Sequence, residues 1–362
     1  MRISENKFLY LLDSFSPEEL QEFKKFVASP YIASGRNYLP LLNELIRLRN
    51  RKQREVTLEE LHNKLYPGKK FSAQTLKNRF SELFKVGESF LIFKSINSNG
   101  DIVRDRLLLR ALRERNLGKF FESNYRKATA DLEKIPLSEK KFEDHIDLQR
   151  INIEHLVQNR KFEKYFSEYY ENSLYQTCLS FINLFEFGME FRQQDYLNKK
   201  YDFNIVSEIL KKIDFEELAK RSEYRMSHVF KYTLLFYHLY KCFENLENES
   251  DYFEARKIFR EIKDHISEET RLKIYMMLIY YCTHKQNQGV KKFVNELFAL
   301  YNEKLKSGYT SDFRANSYPL NNFRDYVLIG LELKEFEWVE NFLKEYSDFL
   351  PEETRFEEVA IS

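Results

Sequence analysis

A scarcity of turn-forming residues is the feature that most limits the fold of this chain. Its 362 residues contain only 9 glycines and 7 prolines, the residues on which tight turns chiefly depend. A sandwich or barrel of short strands needs many such turns, whereas long helices need few. The sequence therefore predicts an all-α fold, and its length suffices for two or three domains with a substantial core.

Helix-start signals recur in the N-terminal part. Residues 16–19 (SPEE) and 57–60 (TLEE) each place a capping hydroxyl three residues before a glutamate, which is the pattern of a capping box. A further helix is predicted from Ser72, and its continuation through VGESFLIFKSI is preferred to a strand ahead of a hairpin at residues 97–100. The predicted buried line of this helix consists of Leu76, Phe80, Leu83 and Phe84.

Beyond residue 100 the pattern is helical almost throughout, with short polar breaks. The predicted helices cover residues 101–116, 118–134, 138–158, 162–172, 174–198, 202–213, 223–244, 251–265, 268–284, 288–306, 320–333 and 335–347. Three regions follow from these breaks. They are an N-terminal helical domain over residues 1–96, a middle helical region over 101–245, and helical hairpins over 250–362.

The last third resembles tetratricopeptide-like helical hairpins. The sequence SDYFEARKIFREIKDHISEETRLKIYMMLIYYCTHK resembles one such unit, in which Ala255 stands where the helices approach closely and Phe259 and Ile262 continue the apolar face. LELKEFEWVENFLKEYSDFLPEE resembles the junction of two more, although Phe336, Val339 and Phe342 stand where tighter repeats would often use smaller residues. The resemblance implies a degenerate α-solenoid after the N-terminal domain and implies no catalytic residues.

Two further observations concern the ends and the overall layout. Residues 351–353 (PEE) look like a helix start, yet a solenoid normally ends on a polar capping helix. We expect either that the sequence is cut here or that a partner or a second copy completes the last hairpin. The segments FKKFVASPY, LYPGKKFS and LKEFEWVENFL resemble a class of uncharacterised bacterial helical proteins. This resemblance implies a helical fold and says nothing about an activity.

Cysteine usage and hydropathy bear on the compartment. Cys178, Cys242 and Cys282 lie far apart, which indicates a reducing environment rather than a disulfide framework. The N-terminus lacks the apolar run of a secretory signal. The longest uncharged stretch, near residues 173–185, is shorter than the roughly 20 apolar residues of a membrane span. The sequence predicts a soluble, cytoplasmic protein without a membrane segment.

Motifs typical of enzymes and metal sites are missing from the sequence. It contains no GxGxxG, GxxxxGK[ST], GxSxG or HExxH pattern. On a helix, Cys282 and His284 would lie about 200° apart and His228 and His238 about 80° apart, so neither pair could chelate one ion. These histidines are interpreted as ordinary core or surface residues. The sequence predicts no catalytic residues, no cofactor and no metal.

One helix face is rich in carboxylates. Glu143, Asp147, Arg150 and Glu154 follow one another at helical spacing. A catalytic acid pair would need one carboxyl in an apolar pocket, whereas the arginine among them favours a solvated ion-pair face. We interpret this face as ion pairs.

Charge is distributed unevenly along the chain. Residues 36–115 contain 18 lysines and arginines against 9 aspartates and glutamates, although the whole chain has a net charge of only +1. Such asymmetry is typical of a surface that binds nucleic acid or an acidic partner, and equally of one part of a chain docking on another.

This basic stretch also has the order helix, turn, helix. Outward-facing glutamine, asparagine and lysine side chains on the second helix suit base edges, and basic residues before the first helix and in the turn suit phosphates. The candidate contacts to nucleic acid or an acidic partner are Arg47, Arg49, Arg51, Lys52, Arg54, Lys69, Lys70, Gln74, Lys77, Asn78 and Lys85. Against this, the turn YPGKKFS is longer than the usual three or four residues.

Two functions therefore stay open. The leading expectation is a non-enzymatic protein-interaction scaffold or adaptor, because stacked hairpins offer an extended surface to a protein partner. The alternative is a nucleic-acid-binding regulator that uses the candidate contacts above. Ordinary solvation of surface helices would produce the same basic residues, and the sequence leaves open whether the chain forms a homo-oligomer.

Overall fold

The computed structural model describes residues 6–32, 36–51, 56–98, 101–196, 204–221, 227–310 and 319–350. Within these ranges the chain forms 17 α-helices, and the nearest approach to a sheet is an isolated bridge between Leu137 and Ile266. The predicted all-α class is confirmed. None of the helices in these ranges is long and apolar enough to cross a membrane.

The chain divides into two compact units, Met1–Ala111 and Leu112–Ser362. The helices of the first unit are α1 (Lys7–Ser14), α2 (Pro17–Ala28), α3 (Leu39–Asn50), α4 (Leu58–Leu65) and α5 (Ala73–Ser98), and α6 (Asp101–Glu114) runs across the division. Those of the second are α7 (Gly118–Glu133), α8 (Glu139–Gln158), α9 (Phe162–Tyr196), α10 (Ile205–Lys212), α11 (Phe215–Arg221), α12 (His228–Glu244), α13 (Glu249–Ile262), α14 (Glu268–Asn287), α15 (Lys292–Lys306), α16 (Pro319–Glu332) and α17 (Phe336–Tyr346).

Both predicted capping boxes form. At the start of α2, the Ser16 hydroxyl accepts a hydrogen bond from the Glu19 amide at 3.2 Å, and the Glu19 carboxylate accepts one from the Ser16 amide at 2.9 Å. Thr57 and Glu60 make the same reciprocal bonds at the start of α4. These local bonds satisfy amides that the helix itself leaves without partners.

The core of the first unit is aromatic. Phe15, Phe23 and Phe90 come from three different segments, and their ring centroids lie 5.2 to 5.5 Å apart. Helix α1 approaches α5 so closely that a Cβ at Gly87 would lie 2.6 Å from Leu11 Cδ2. Glycine at this point lets the two backbones approach.

The predicted continuation of the helix through VGESFLIFKSI is confirmed, because α5 extends from Ala73 to Ser98. The alternative of a strand ahead of a hairpin is wrong. Leu76, Phe80 and Leu83 are buried as predicted, and Phe84 is partly buried against the same core.

The predicted break between residues 172 and 174 is wrong, because α9 is one continuous helix. Asn172, which lies beside the predicted break, is buried and donates to the Ile146 carbonyl of α8 at 3.0 Å. A hydrogen bond to a neighbouring helix thus satisfies a side chain that would otherwise favour a turn. The sequence prediction also contained neither α1 nor α11.

The second unit is organised by pairs of consecutive helices. The most extensive contacts join α8 to α9, α12 to α13 and α14 to α15, and α9 also packs along α12. Ala255, Phe259 and Ile262, which the resemblance places on the inner face of a hairpin, are fully buried. Helix α13 packs mainly on α12 rather than α14, so the observed pairs are offset by one helix from the proposed unit at residues 250–285. Residues 351–353, the predicted helix start near the C-terminus, lie outside the described residues.

Candidate functional site

Two of the candidate arginines are engaged within the first unit. The Arg47 guanidinium Nε donates to both carboxylate oxygens of Glu44, at 3.1 and 3.0 Å, and Lys64 Nζ of α4 donates to the same carboxylate at 2.8 Å. The hydrogen bonds from Arg47 and Lys64 hold the pKa of Glu44 below its usual range. This cluster ties α3 to α4, and a phosphate would have to compete with Glu44 for Arg47.

Arg49 is engaged with the backbone. Its Nη2 donates to the carbonyls of Phe15 at 2.9 Å and of Asp13 at 3.2 Å, where α1 passes into α2. Arg49 therefore satisfies carbonyls at a helix end, which is a structural role.

The outward face of α5 remains open. Gln74, Lys77, Asn78 and Lys85 are all exposed, as predicted for a helix whose other side is buried. Gln74 Nε2 donates to Asn78 Oδ1 at 2.8 Å, so the two amide side chains already interact with each other.

The remaining basic candidates lie at the ends of α3 and in the turn before α5. Lys69 and Lys70 are exposed, and Lys69 Nζ lies 5.9 Å from the centroid of the Tyr66 ring. Arg51 is exposed at the end of α3, whereas Lys52 and Arg54 lie outside the described residues. Seven of the candidate residues are thus exposed at the end of α3, in the turn before α5 and on the outward face of α5. They are called the basic surface of the first unit and are Arg51, Lys69, Lys70, Gln74, Lys77, Asn78 and Lys85.

The carboxylates of α8 form ion pairs, which confirms the interpretation from sequence. Glu143 lies 3.5 Å from Lys140, Asp147 lies 3.6 Å from Arg150, and Glu154 pairs with Arg113. A catalytic acid pair would instead need one carboxyl in an apolar pocket.

His228 and His238 both contact side chains of neighbouring elements. The ring of His228 stacks on that of His265, with centroids 4.1 Å apart. His238 Nδ1 lies 2.7 Å from Asp251 Oδ1, and Asn248 donates to the other oxygen of Asp251 at 2.7 Å. Within the described residues, no group of three or more histidines, cysteines, aspartates and glutamates is placed to hold a metal ion.

The pair of His238 and Asp251 lies beside a cleft of about 540 Å³ between α11, α12 and α13. Such a pair can orient an imidazole for proton transfer when a substrate lies against it. Most charges that line the cleft are neutralised by one another, as Lys231 is by Glu261 at 2.6 Å and Lys257 by Glu254 at 3.3 Å. Two of these contacts, His238 with Asp251 and Lys231 with Glu261, join α12 to α13.

The thiols have no reactive character. All three cysteines are buried and free. Burial raises the pKa of the Cys282 thiol to about 12, and it also raises the pKa values of Cys178 and Cys242. Since the thiolate is the reactive form, these side chains behave as small apolar residues.

A stripe of exposed aromatic side chains runs along the N-terminal part of α9. The α9 stripe consists of Phe162, Phe166, Tyr169 and Tyr170, whose exposed fractions are 54%, 68%, 56% and 56%. At 100° per residue these four positions fall within an arc of about 100°. The buried residues Cys178 and Ile182 lie on the opposite side of the same helix, so the stripe points away from the core.

Helix α9, which carries the stripe, is bonded to both α7 and α8. Asn172 bonds to the Ile146 carbonyl of α8, and the Tyr125 hydroxyl of α7 donates to Glu168 of α9 at 3.3 Å. Lys161, at the start of α9, also pairs with Glu122 of α7. The aromatic side chains therefore project from an element held by two neighbours.

Sequence reasoning missed the stripe. Phe162, Phe166 and Tyr169 have the i, i+4, i+7 spacing that also predicts a buried face, so periodicity alone could not tell the outer side of α9 from the inner side. Comparisons with protein-family models, with curated proteins and with solved structures find no match to this chain.

Proposed function

We propose that this protein is a non-enzymatic interaction scaffold that binds a helical segment of a protein partner along the α9 stripe. The observation that carries the proposal is the exposure of four large aromatic side chains within nine residues of one helix. Exposed apolar patches of a few hundred Å² on a protein surface commonly mark interaction sites. Aromatic side chains also contribute much of the energy at protein interfaces.

The shape of the surface favours a helical partner. A stripe about 100° wide along a helix matches the apolar face of a second amphipathic helix. Tyr169 and Tyr170 add hydroxyl groups that can hydrogen-bond at the edge of such a contact. Because α9 is fixed by α7 and α8, little conformational entropy is lost when a partner binds.

Site-specific photo-crosslinking tests the proposal. A photoreactive phenylalanine analogue in place of Phe166 should give a saturable adduct with a second polypeptide in cells that produce the protein. The double substitution Phe162→Ser and Tyr169→Ser should remove that adduct. The matched control places the analogue at Phe187, which is 56% exposed on the same side of α9 about six turns further on. Absence of any adduct from position 166 would overturn the proposal.

The basic surface of the first unit supports a second candidate, binding of nucleic acid. Its specific observation is that the outward face of α5 exposes Gln74, Lys77, Asn78 and Lys85 over three turns, a set that suits bases and phosphates. Arg47 and Arg49 are left out of the proposed set because Glu44 and the α1–α2 junction already bind them.

Fluorescence anisotropy with random duplex DNA and RNA, at low and physiological salt, tests this second candidate. Binding should weaken steeply with salt, because phosphate contacts release counterions. Lys77→Glu with Lys85→Glu should reduce affinity at least tenfold. Lys257→Glu with Lys344→Glu makes the same charge change at exposed positions of the second unit and should have little effect. Equal losses in the two double variants would indicate net charge rather than a site.

A further inference from the structure

We propose that the occupant of the α9 stripe is a second copy of this chain, whose own α9 packs antiparallel across the stripe about a two-fold axis at Phe166. The inference rests on the proposed function, because it names the partner of the same surface.

The spacing of the aromatic residues is self-complementary. In a two-fold contact the same patch faces itself, so a residue a given distance before the axis meets one at the same distance after it. Phe162 and Tyr170 each lie four residues from Phe166, or about 6 Å along the helix. Pairing centred at Phe166 therefore sets Phe166 against its own copy and Phe162 against Tyr170, an aromatic residue at every level.

The charges within the stripe permit this register. Glu163 is the carboxylate between Phe162 and Phe166. In the antiparallel pair it lies at the level of Tyr169, about 9 Å along the axis from its own counterpart, so the two carboxylates do not oppose each other. The Tyr169 hydroxyl of one copy reaches the level where the Glu163 carboxylate of the other can accept a hydrogen bond. The antiparallel arrangement also sets the two helix dipoles in the favourable direction.

The area is adequate for a weak dimer. A fully buried aromatic side chain removes on the order of 200 Å² from water. With exposed fractions between 54% and 68% for the four residues, the stripe offers roughly 500 Å² per copy, or about 1,000 Å² in the pair. That total lies at the low end of specific interfaces, which predicts a dimer that forms in the micromolar range rather than an obligate one.

Disulfide trapping tests the two-fold axis. Phe166→Cys should give a covalent dimer under mild oxidation, because a residue at the axis meets its own copy within disulfide range. Background reaction should be small, since the natural cysteines are buried. Phe187→Cys presents an equally accessible thiol on the same side of the helix and should stay monomeric in the same conditions.

Sedimentation equilibrium over a concentration series gives the second measurement. The unmodified chain should self-associate, and Phe166→Glu should weaken the dimer at least tenfold because it sets two carboxylates against each other. Phe187→Glu should leave association unchanged, and circular dichroism should show that both variants keep their helices. Loss of the dimer in both variants would place the contact elsewhere.

A monomer at every concentration, with no more disulfide dimer from Phe166→Cys than from Phe187→Cys, would overturn the inference. The photo-crosslinking experiment then separates it from the proposed function. An adduct of Phe166 with a different polypeptide would retain the docking surface and remove the second copy as its occupant. If no adduct formed with any polypeptide, both the dimer and the proposed interaction function would be ruled out.

Discussion

Arg256 is a charged side chain placed almost entirely out of water, 2% exposed on α13. Its Nη1 donates to Glu303 Oε2 of α15 at 2.9 Å, and its Nε lies 3.6 Å from Glu296. The Tyr252 hydroxyl donates to the same Glu296 at 2.9 Å. Two carboxylates of α15 are therefore held by two residues of α13, and this bridge connects helices that belong to different pairs.

We expect Arg256→Ala to lower the free energy of unfolding by about 3 kcal/mol, because it leaves carboxylates without their buried partner. Urea denaturation followed by tryptophan fluorescence measures the loss, since the single tryptophan, Trp338, packs against Phe298 of α15. Lys257→Ala at the exposed neighbouring position should change stability by no more than about 0.5 kcal/mol. If the two substitutions lowered the free energy of unfolding equally, the bridge from Arg256 to α15 would contribute no more to stability than an exposed lysine.

A residue's role could be predicted from sequence only when its hydrogen-bond partner lies close to it along the chain. Ser16 and Thr57 find their partners three residues away, so their capping boxes were readable from sequence and are confirmed. Arg49 binds the Phe15 carbonyl 34 residues away. A basic residue whose partner lies that far along the chain has the same sequence signature as one that could bind a phosphate. The sequence therefore could not show that Arg49 is engaged within the first unit.

Helix α9 shows that partners distant in sequence also limit the prediction of a whole helix. Its helical character was readable from the spacing of apolar residues, but the predicted break at residue 173 was wrong because Asn172 bonds to α8 rather than to its own backbone. The scarcity of glycine and proline predicted the class correctly, since it concerns the number of turns. It carried no information about which helix faces which neighbour, and so could not predict the side to which the α9 stripe points.

The close contact between α9 and α12 gives a prediction at this scale. A Cβ on Gly188 would lie 2.7 Å from Tyr240 Cε2 and 2.8 Å from Leu210 Cδ1. Gly188→Ala should therefore destabilise the protein by about 1–3 kcal/mol, because the Tyr240 ring and α9 must move apart to make room for the added methyl group. Thermal denaturation followed by circular dichroism measures the change.

The matched control is Gly118→Ala at the start of α7. A Cβ there would lie 3.7 Å from His155, an ordinary contact. This substitution should be neutral or stabilise by about 0.5 kcal/mol, because it reduces the freedom of the unfolded chain. If Gly188→Ala behaved in the same way, the tight approach of α9 to α12 would be contradicted.

Two buried imidazoles connect the helices around the stripe and make the stability of the whole second unit depend on pH. His155 of α8 stacks on Phe121 of α7 at 4.0 Å, and His145 of α8 stacks on Tyr175 of α9 at 3.8 Å. Burial lowers the pKa of both histidines. The folded unit therefore holds them neutral, and protonating either one is easier after unfolding.

The sign of the effect follows from proton linkage. Above the pKa of an unfolded histidine, about 6.5, both states are neutral and these groups add no pH dependence. As the pH falls below that value, the unfolded chain takes up protons that the folded chain resists, so the free energy of unfolding decreases. Urea denaturation at a series of pH values from 7.5 to about 5, followed through Trp338, should show this decrease.

The double variant His145→Phe and His155→Phe retains an aromatic ring at both positions and removes both imidazoles that can take up a proton. Its free energy of unfolding should vary less steeply with pH below 6.5 than that of the unmodified chain. Glu171 and Glu186 act in the opposite direction, because burial raises the pKa of each carboxyl and protonation then favours the folded state. They are present in both proteins, so the difference between the two curves isolates the histidines. Identical slopes would show that these two imidazoles titrate as they do in the unfolded chain. The pH dependence of the second unit would then have to be assigned to its other titrating groups, among them His228, whose pKa burial also lowers, and the carboxylates.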